Sequence, residues 1–290
     1  MWSSPPKADP PAAEISPSPL ITVVMATLNA AEHLPRSLGS LAGQELRDFE
    51  VVLVDGGSRD HTCEVAAELL ERAQLAHRMV VLEGSGIYGA INRGVAEARG
   101  DWLYVMGADD CLTDGDVLAS LVPHLRQAEP QVLVVHGDVW IEDPGYRYGQ
   151  AWDLPRFLDR NISHQSAFYR RSAIQKLGIE YNEDYLLYAD WDYNLRLFAR
   201  GNFQHVPLLV ASYGCAGASS RRRDSRFMVD KEANVRRYLG WRSIVLMPPH
   251  RFAMARGQLP GLLFRVQLLL NRFLWAAKRL LPPRGQSPAH

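Results

Sequence analysis

No apolar run long enough to cross a membrane occurs in this 290-residue chain. Nowhere do about eighteen uncharged apolar residues follow one another. A surplus of either charge is also lacking. The formal net charge is zero, so no global field favours a nucleic-acid partner. Cysteine is scarce: Cys63, Cys111 and Cys215 lie far apart with no C-x-x-C. That pattern fits free thiols in a reducing compartment and excludes a disulfide framework. The opening "MWSSPPKADPPAAEISPSPL" is rich in proline, serine and alanine and has no apolar core, so a signal peptide is not expected there. Residues 1–19 read as a disordered tail. No internal repeat is present. What remains is ordinary for a folded protein: 47% hydrophobic and 22% charged residues.

Four strand-helix units follow the tail. "ITVVMA" (21–26) is a short apolar run of the buried-strand type, and Asn29 with Glu32 resembles a capping box ahead of Leu34, Leu38 and Leu41 at helical spacing. A second strand at 49–54 ends at Asp55-Gly56-Gly57-Ser58, with a helix over 60–72. A third strand at 79–82 leads to a helix over 87–99, closed by Gly100. A fourth at 102–106 ends at Gly107-Ala108-Asp109-Asp110, and Val117, Leu118, Leu121, Val122 and Leu125 mark the fourth helix. Such a series predicts a mostly parallel sheet with helices on both faces and ligands beyond the carboxyl ends of the strands. After Pro130 the pattern changes. Strands are expected at 132–136 and at 139–142 and 146–149 around Asp143-Pro144-Gly145, then at 164–169 and 205–213. A helix over 188–198 stops at Gly201.

Gly84, Gly86 and Gly89 spell G-x-G-x-x-G, the dinucleotide fingerprint. The match falls on the third unit, while the first turn, "ATLNAAE", has no glycine. The spacing is better read as a tight turn at Gly84 and Gly86, with close helix packing at Gly89 and Gly94. The acids carry more information. Adjacent carboxylates such as Asp109 and Asp110 repel unless a cation or donors compensate them. A hard divalent ion shared with substrate phosphates would do so, and a solvated capping pair is the alternative. Asp55 ends a buried strand where a turn needs no acid, whereas Asp60 reads as a helix cap.

Five segments in order resemble the inverting, metal-dependent glycosyltransferase family 2: "ITVVMATLNAAEHLPRSLGSLAGQ", "FEVVLVDGGSRDHT", "SGIYGAINRGVAEARGDWLYVMGADD", "HQSAFYRR" and "YADWDYNLRL". The likeness runs from about Leu20 to Tyr238 and is nearest to bacterial transferases of cell-surface glycan and glycolipid assembly, of the colanic-acid and phenolic-glycolipid kind. It implies an α/β GT-A fold over 20–240. A Rossmann-like nucleotide-sugar half (20–128) would join a mixed-sheet acceptor half (129–240), with a C-terminal helical extension (241–290). It also implies a UDP- or dTDP-sugar donor, a manganese or magnesium ion, and a hydroxyl of a glycan or lipid-linked glycan as acceptor. Localisation would be cytoplasmic, on the inner face of the membrane.

By the same resemblance, Thr27, Asn29, Asp55 and Ser58 would line the nucleoside and Asn92 and Arg93 would approach the base or diphosphate. Asp109 would take the ribose side and Asp110 the metal. The family's first D-x-D acid is Gly107 or Ala108 here, and its I-Y-D-A acid is Gly89. Asp190 matches the catalytic base position. Asp192, about 200° around the helix, cannot face the same way; it is either an acceptor contact or a partner of Arg196 at i+4. His164 and Gln165 are either acceptor contacts or buried structural groups. The small-residue loop before Arg221, Arg222 and Arg223 suits a lid over diphosphate, or a solvated basic loop. Between Leu259 and Leu281 a basic amphipathic pattern suits an anionic membrane surface, or packing on the domain. Two rivals share the nucleotide half. A sugar-phosphate nucleotidyltransferase would want a glycine- and arginine-rich first turn. A non-catalytic nucleotide-sugar-binding protein would not need Asp55, Asp109, Asp110 and Asp190 together.

Overall fold

The computed structural model describes residues 18–213 and 224–240. Most of the expected N-terminal tail, the arginine loop at 214–223 and the amphipathic segment at 259–281 lie outside the described residues. No helix among the described residues is long and apolar enough to cross a membrane.

The chain begins with β1 (Ile21–Thr27), α1 (Leu34–Ala42), β2 (Phe49–Asp55), α2 (Thr62–Arg72), β3 (Ala76–Val81), α3 (Gly86–Glu97) and β4 (Trp102–Val105). A two-residue β5 (Cys111–Leu112) and α4 (Val117–Gln127) precede β6 (Val132–Ile141), β7 (Tyr146–Tyr148), α5 (Leu154–Asp159), β8 (Ala167–Arg170), α6 (Arg171–Leu177), α7 (Ala189–Phe198), β9 (Asn202–Tyr213) and α8 (Ser225–Leu239). One sheet holds every strand in the order β3-β2-β1-β4-β8-β6-β9-β5, with β7 beside β6. The boundary expected near residue 128 is therefore crossed by hydrogen bonds: β8 continues the sheet from β4 and passes it to β6.

Alternation sorts the core. Ile21, Val23 and Met25 face one side with Leu34, Leu38, Leu41, Ala66, Leu70 and Leu118, so α1, α2 and α4 cover that face. Val24, Leu103 and Val105 face the other side with Ile91, Trp191, Leu195 and Phe227, covered by α3, α7 and α8. β1 and β2 are buried on both faces and so read as unbroken apolar runs. β3 is an edge and carries His77 and Arg78 outward, which discourages further pairing.

Direction places the site. β1, β2, β3 and β4 run parallel, so Thr27, Asp55 and the 107–110 turn share one edge of the sheet. β8 runs antiparallel to β4, with Tyr104 opposite Phe168. The residues before β8 therefore return to the edge that the residues after β4 leave.

Several local expectations change. Asn29 has a left-handed backbone (φ 50°) and does not cap α1, whose N-cap is His33. α3 ends at Glu97 with Ala98 as its C-cap, and Gly100 instead lies against β1, where a Cβ would come within 2.5 Å of the Thr22 nitrogen. His164–Ser166 is a 3-10 turn; the strand expected from residue 164 starts at Ala167. The two runs expected around Gly137 form the single irregular β6. The G-x-G-x-x-G glycines behave as a turn: Gly84 and Gly86 both take positive φ, and Gly94 presses α3 onto Val24 of β1.

Candidate active site

Two polar clusters stand on the shared edge. The first ties the turns after β1 and β2 together. Asp55 is 1% exposed, yet its carboxylate accepts four hydrogen bonds: from Gly57 N (3.0 Å) and Ser58 N (2.7 Å) at Oδ1, and from Thr27 Oγ1 (2.9 Å) and Ser58 Oγ (2.6 Å) at Oδ2. A carboxylate offers about four acceptor positions, so these fill it. Burial alone would raise its pKa; the donors from Ser58, Thr27 and Gly57 outweigh burial and hold it below the ordinary value. Asn29 N donates to Ser58 Oγ (2.7 Å) and Arg59 N donates to Asn29 Oδ1 (2.9 Å). Asp60 accepts from Ala31 N and Thr62 N; it precedes His61, the N-cap of α2, and ties that helix start to the turn after β1. Thr27, Asn29, Asp55 and Ser58 are thus brought together, but as the frame of a double turn. Asp55 does not present the open acceptor that a nucleoside contact implies.

The second cluster crosses from one half of the sheet to the other. Asp110 is 3% exposed; its Oδ2 accepts from Gly107 N (2.8 Å), and Gln165 Nε2 lies 3.5 Å from Oδ1. Burial pushes its pKa up to about 6, with His164 lowering it and the exposed Asp109 raising it. Gly107 has to be small here, because a Cβ would stand 2.7 Å from Asp110 Oδ2. Ser163 Oγ donates to Gln165 Oε1 (2.6 Å), and Tyr104 OH holds the Gln165 carbonyl (2.9 Å). On the same 3-10 turn, His164 Nδ1 lies 3.4 Å from Asp190 Oδ2. Burial opposes its charge, but the Asp190 hydrogen bond and the carboxylates of Asp190, Asp110 and Asp109 raise its pKa above the ordinary histidine value. Asp190 lies in the first turn of α7 and also accepts from Asn161 Nδ2 (2.7 Å).

The remaining candidates are placed elsewhere. Asp192 is 1% exposed and turned under α8, where it pairs with Arg196 (2.9 Å) and accepts from Tyr238 OH (2.9 Å). It is not an acceptor contact in this arrangement; the helix places it away from Asp190. Asn92 is committed to Tyr181 N, Tyr181 O and Glu183, and Arg93 pairs with Glu97. Neither reaches the Asp110–Asp190 cluster. At Gly89 the resemblance expects an acid. The Glu183 carboxylate from the other half lies there instead, 3.2 Å from where a Cβ would stand.

Three members of the site escape a reading of the sequence alone. Tyr88 extends from α3 to the backbone of Tyr188 and Ala189, and burial followed by the charge of Asp190 raises its pKa. Asn161 and Asn194 hold Asp190 from behind. Tyr88 sits inside the "SGIYGAINRG" segment and could have been found there; lone asparagines carry no comparable signal.

The residues fit a hard divalent cation. Two adjacent carboxylates supply oxygen ligands, Asp110 is buried without full compensation, and further positions would come from phosphate and water. Among the described residues no group of three or more acidic, histidine or cysteine side chains could hold a metal by itself.

The chain is similar to known proteins in both sequence and fold. The model of the family "Glycosyl transferase family 2" matches residues 22–178. A "PGL/p-HBAD biosynthesis glycosyltransferase" of Mycobacterium bovis (strain BCG / Pasteur 1173P2) is 40% identical over 220 residues, covering 74% of this chain and 82% of the relative. An "Uncharacterized glycosyltransferase" of Mycobacterium tuberculosis is 27% identical over 220 residues, covering 73% of this chain and 82% of the relative. Among solved structures, S. aureus TarS 1-349 in complex with UDP-GlcNAc superposes with a TM-score of 0.61 at 14% identity, over 90% of this chain and 91% of that one. The mannosyltransferase PcManGT from Pyrobaculum calidifontis, in complex with GDP-Man and Mn2+, gives 0.56 at 18% identity, over 91% of this chain and 87% of that one. The structural likenesses establish a shared fold.

Proposed function

The chain belongs to glycosyl transferase family 2 and is a glycosyltransferase; from that premise we propose that it moves a sugar, with inversion, from a UDP- or dTDP-sugar to a hydroxyl of a glycan or glycolipid. One observation carries this reading: Asp190 on α7 lies 3.4 Å from His164, on the same turn whose Gln165 reaches to 3.5 Å from Asp110 of the other half. The names of the mycobacterial relatives support a glycolipid acceptor, and the nucleotide-sugar complexes of the structural neighbours support the donor class.

Asp190 accepts the proton of the acceptor hydroxyl. The freed oxygen attacks the anomeric carbon as its bond to the diphosphate oxygen breaks, and the leaving group takes the electron pair. Asp190 lies at the amino end of α7, where the helix dipole favours the carboxylate that does this work. His164, whose pKa the surrounding acids raise, lies 3.4 Å from Asp190 Oδ2 and holds that oxygen. Asp110, with Asp109 beside it, would hold a manganese or magnesium ion, which offsets negative charge on the departing diphosphate. The double turn framed by Asp55, with Leu28 exposed at its tip, would line the nucleoside of such a donor.

Release of nucleotide from a panel of UDP- and dTDP-sugars, with and without Mn2+, tests this on the wild type and Asp190→Asn. Metal-dependent release from one donor, lost about 10³-fold in Asp190→Asn, is expected. Equal rates in the two proteins would remove Asp190 from the reaction. For the basic stretch at 259–281, the reading is peripheral contact with the inner face of the membrane. Full-length protein should sediment with anionic liposomes and a chain lacking 259–290 should not; equal recovery in the supernatant would end that part of the proposal.

A further inference from the structure

Behind Asp190 runs a chain of three uncharged groups. Asn161 Nδ2 donates to Asp190 Oδ2 (2.7 Å), Asn194 Nδ2 donates to Asn161 Oδ1 (3.0 Å), and Tyr169 OH donates to Asn194 Oδ1 (3.1 Å). Asn194 is fully buried and Tyr169 is 1% exposed, so neither has water as an alternative partner. Asn194 stands one turn beyond Asp190 on α7, and Asn161 bridges the two. The backbone of Asn161 is itself pinned, because Tyr148 OH donates to its carbonyl (2.6 Å).

The direction of the chain follows from chemistry. An ionised carboxylate only accepts hydrogen bonds. Asn161 must therefore turn its NH₂ towards Asp190, which leaves its oxygen facing Asn194. Asn194 must answer with its own NH₂, which leaves its oxygen facing Tyr169, whose hydroxyl must donate. Every dipole in the chain then points its positive end at Asp190.

We propose that Asn161 and Asn194 are positioning residues that lock Asp190 Oδ2 and leave Oδ1 as the oxygen that takes the acceptor proton. This rests on the reading of Asp190 as the base. Oδ2 carries Asn161 and lies 3.4 Å from His164 Nδ1. Among the described residues the partners of Asp190 are at Oδ2, which leaves Oδ1 as the oxygen available to substrate. A misplacement of about 1 Å at such a group costs on the order of 10²-fold in rate.

Steady-state release of nucleotide by the full chain tests the assignment, with Mn2+ and a panel of UDP- and dTDP-sugars. Asn161→Ala should lower kcat about 100-fold, with KM for the donor within about twofold. Asn194→Asp keeps the size of the side chain but removes its donor. Asn161 then has a carboxylate on both sides and can present its NH₂ to only one of them, so its hold on Asp190 weakens and kcat should fall about tenfold although no volume is lost. Tyr169→Phe, at the far end, should cost about threefold. Because Asn161 is half-buried, its truncation remains informative even where the buried Asn194→Asp does not fold; thermal melts separate the two cases. Should Asp190→Asn be inactive while Asn161→Ala and Asn194→Asp turn over at the wild-type rate, the positioning role is overturned and the base assignment stands. A raised KM with unchanged kcat also overturns it. Full activity in Asp190→Asn, or no release by the wild type from any donor, overturns the reading beneath it.

Discussion

Asp55 and Asp110 are both buried acids on the same edge of the same sheet, and the fold treats them in opposite ways. Asp55 is given four donors and its pKa is held down; Asp110 is given one close backbone donor and its pKa is pushed up to about 6. Both are nearly closed to solvent, at 1% and 3% exposure, but Asp110 lies deeper in the protein and has fewer donors, so burial wins there and hydrogen bonding wins at Asp55. A satisfied carboxylate builds structure. An unsatisfied one leaves attraction for something that arrives later, and it weakens the fold until then.

Asp110→Asn should break the contrast most sharply. Turnover should fall about 10³-fold, since the group that would hold the cation is lost. In EDTA the same variant should melt several degrees higher than wild type, because a buried uncompensated charge has been removed at a gain of about 2 kcal/mol. A lower melting temperature would place Asp110 among the framework acids. Asp192→Ala should do the reverse. Removing the partner of Arg196 should cost about 3 kcal/mol of stability, while kcat of the folded protein stays within about threefold; loss of turnover without loss of stability would return Asp192 to the site.

Asp55→Asn sharpens the comparison further and adds a pH test. About 2 kcal/mol should be lost at pH 7, where one amide cannot accept all four donors. The native pKa of Asp55 lies below the unfolded value, so the stabilisation is complete above the unfolded value and disappears as pH falls through the native one. Urea titrations should therefore show the gap between wild type and Asp55→Asn wide at pH 7 and closing below about pH 4. A gap independent of pH would mean that packing, and not charge, stabilises the turn. Smallest of all, Asn29→Ala should cost about 1 kcal/mol through the lost Arg59 bond and the left-handed backbone, and Asn29→Gly less than that.

The sheet was largely legible because parallel strands buried on both faces announce themselves as apolar runs, as "ITVVMA" and "FEVVLVD" do. The acids at strand ends were legible for the same reason: a charge next to such a run needs an explanation. What each acid does was not legible. Asp55 and Asp110 look alike in sequence and are separated by depth of burial and by donors, which come from residues 27, 57 and 58 in one case and chiefly from residue 107 in the other. Asn29 illustrates a second limit. Its capping pattern is local, but the backbone there is set by a bond to the neighbouring turn. Asp192 could be read either as an acceptor contact or as a partner of Arg196; the pairing found was legible because an i,i+4 pair is a local property, while its burial under α8 was not.

The reversed strand β8 also has a consequence in time. Because it turns residues 161–166 back to the edge formed by 107–110, the candidate catalytic cluster joins segments that leave the ribosome far apart. The N-terminal half emerges first, with its double turn complete and its parallel strands ready to pair. It holds Asp110, but not His164, Gln165 or Asp190. A nascent chain therefore carries the framework of a donor site before any group that could activate water or an acceptor. On the proposed reading, splitting of the donor would have to await α7, which carries Asp190.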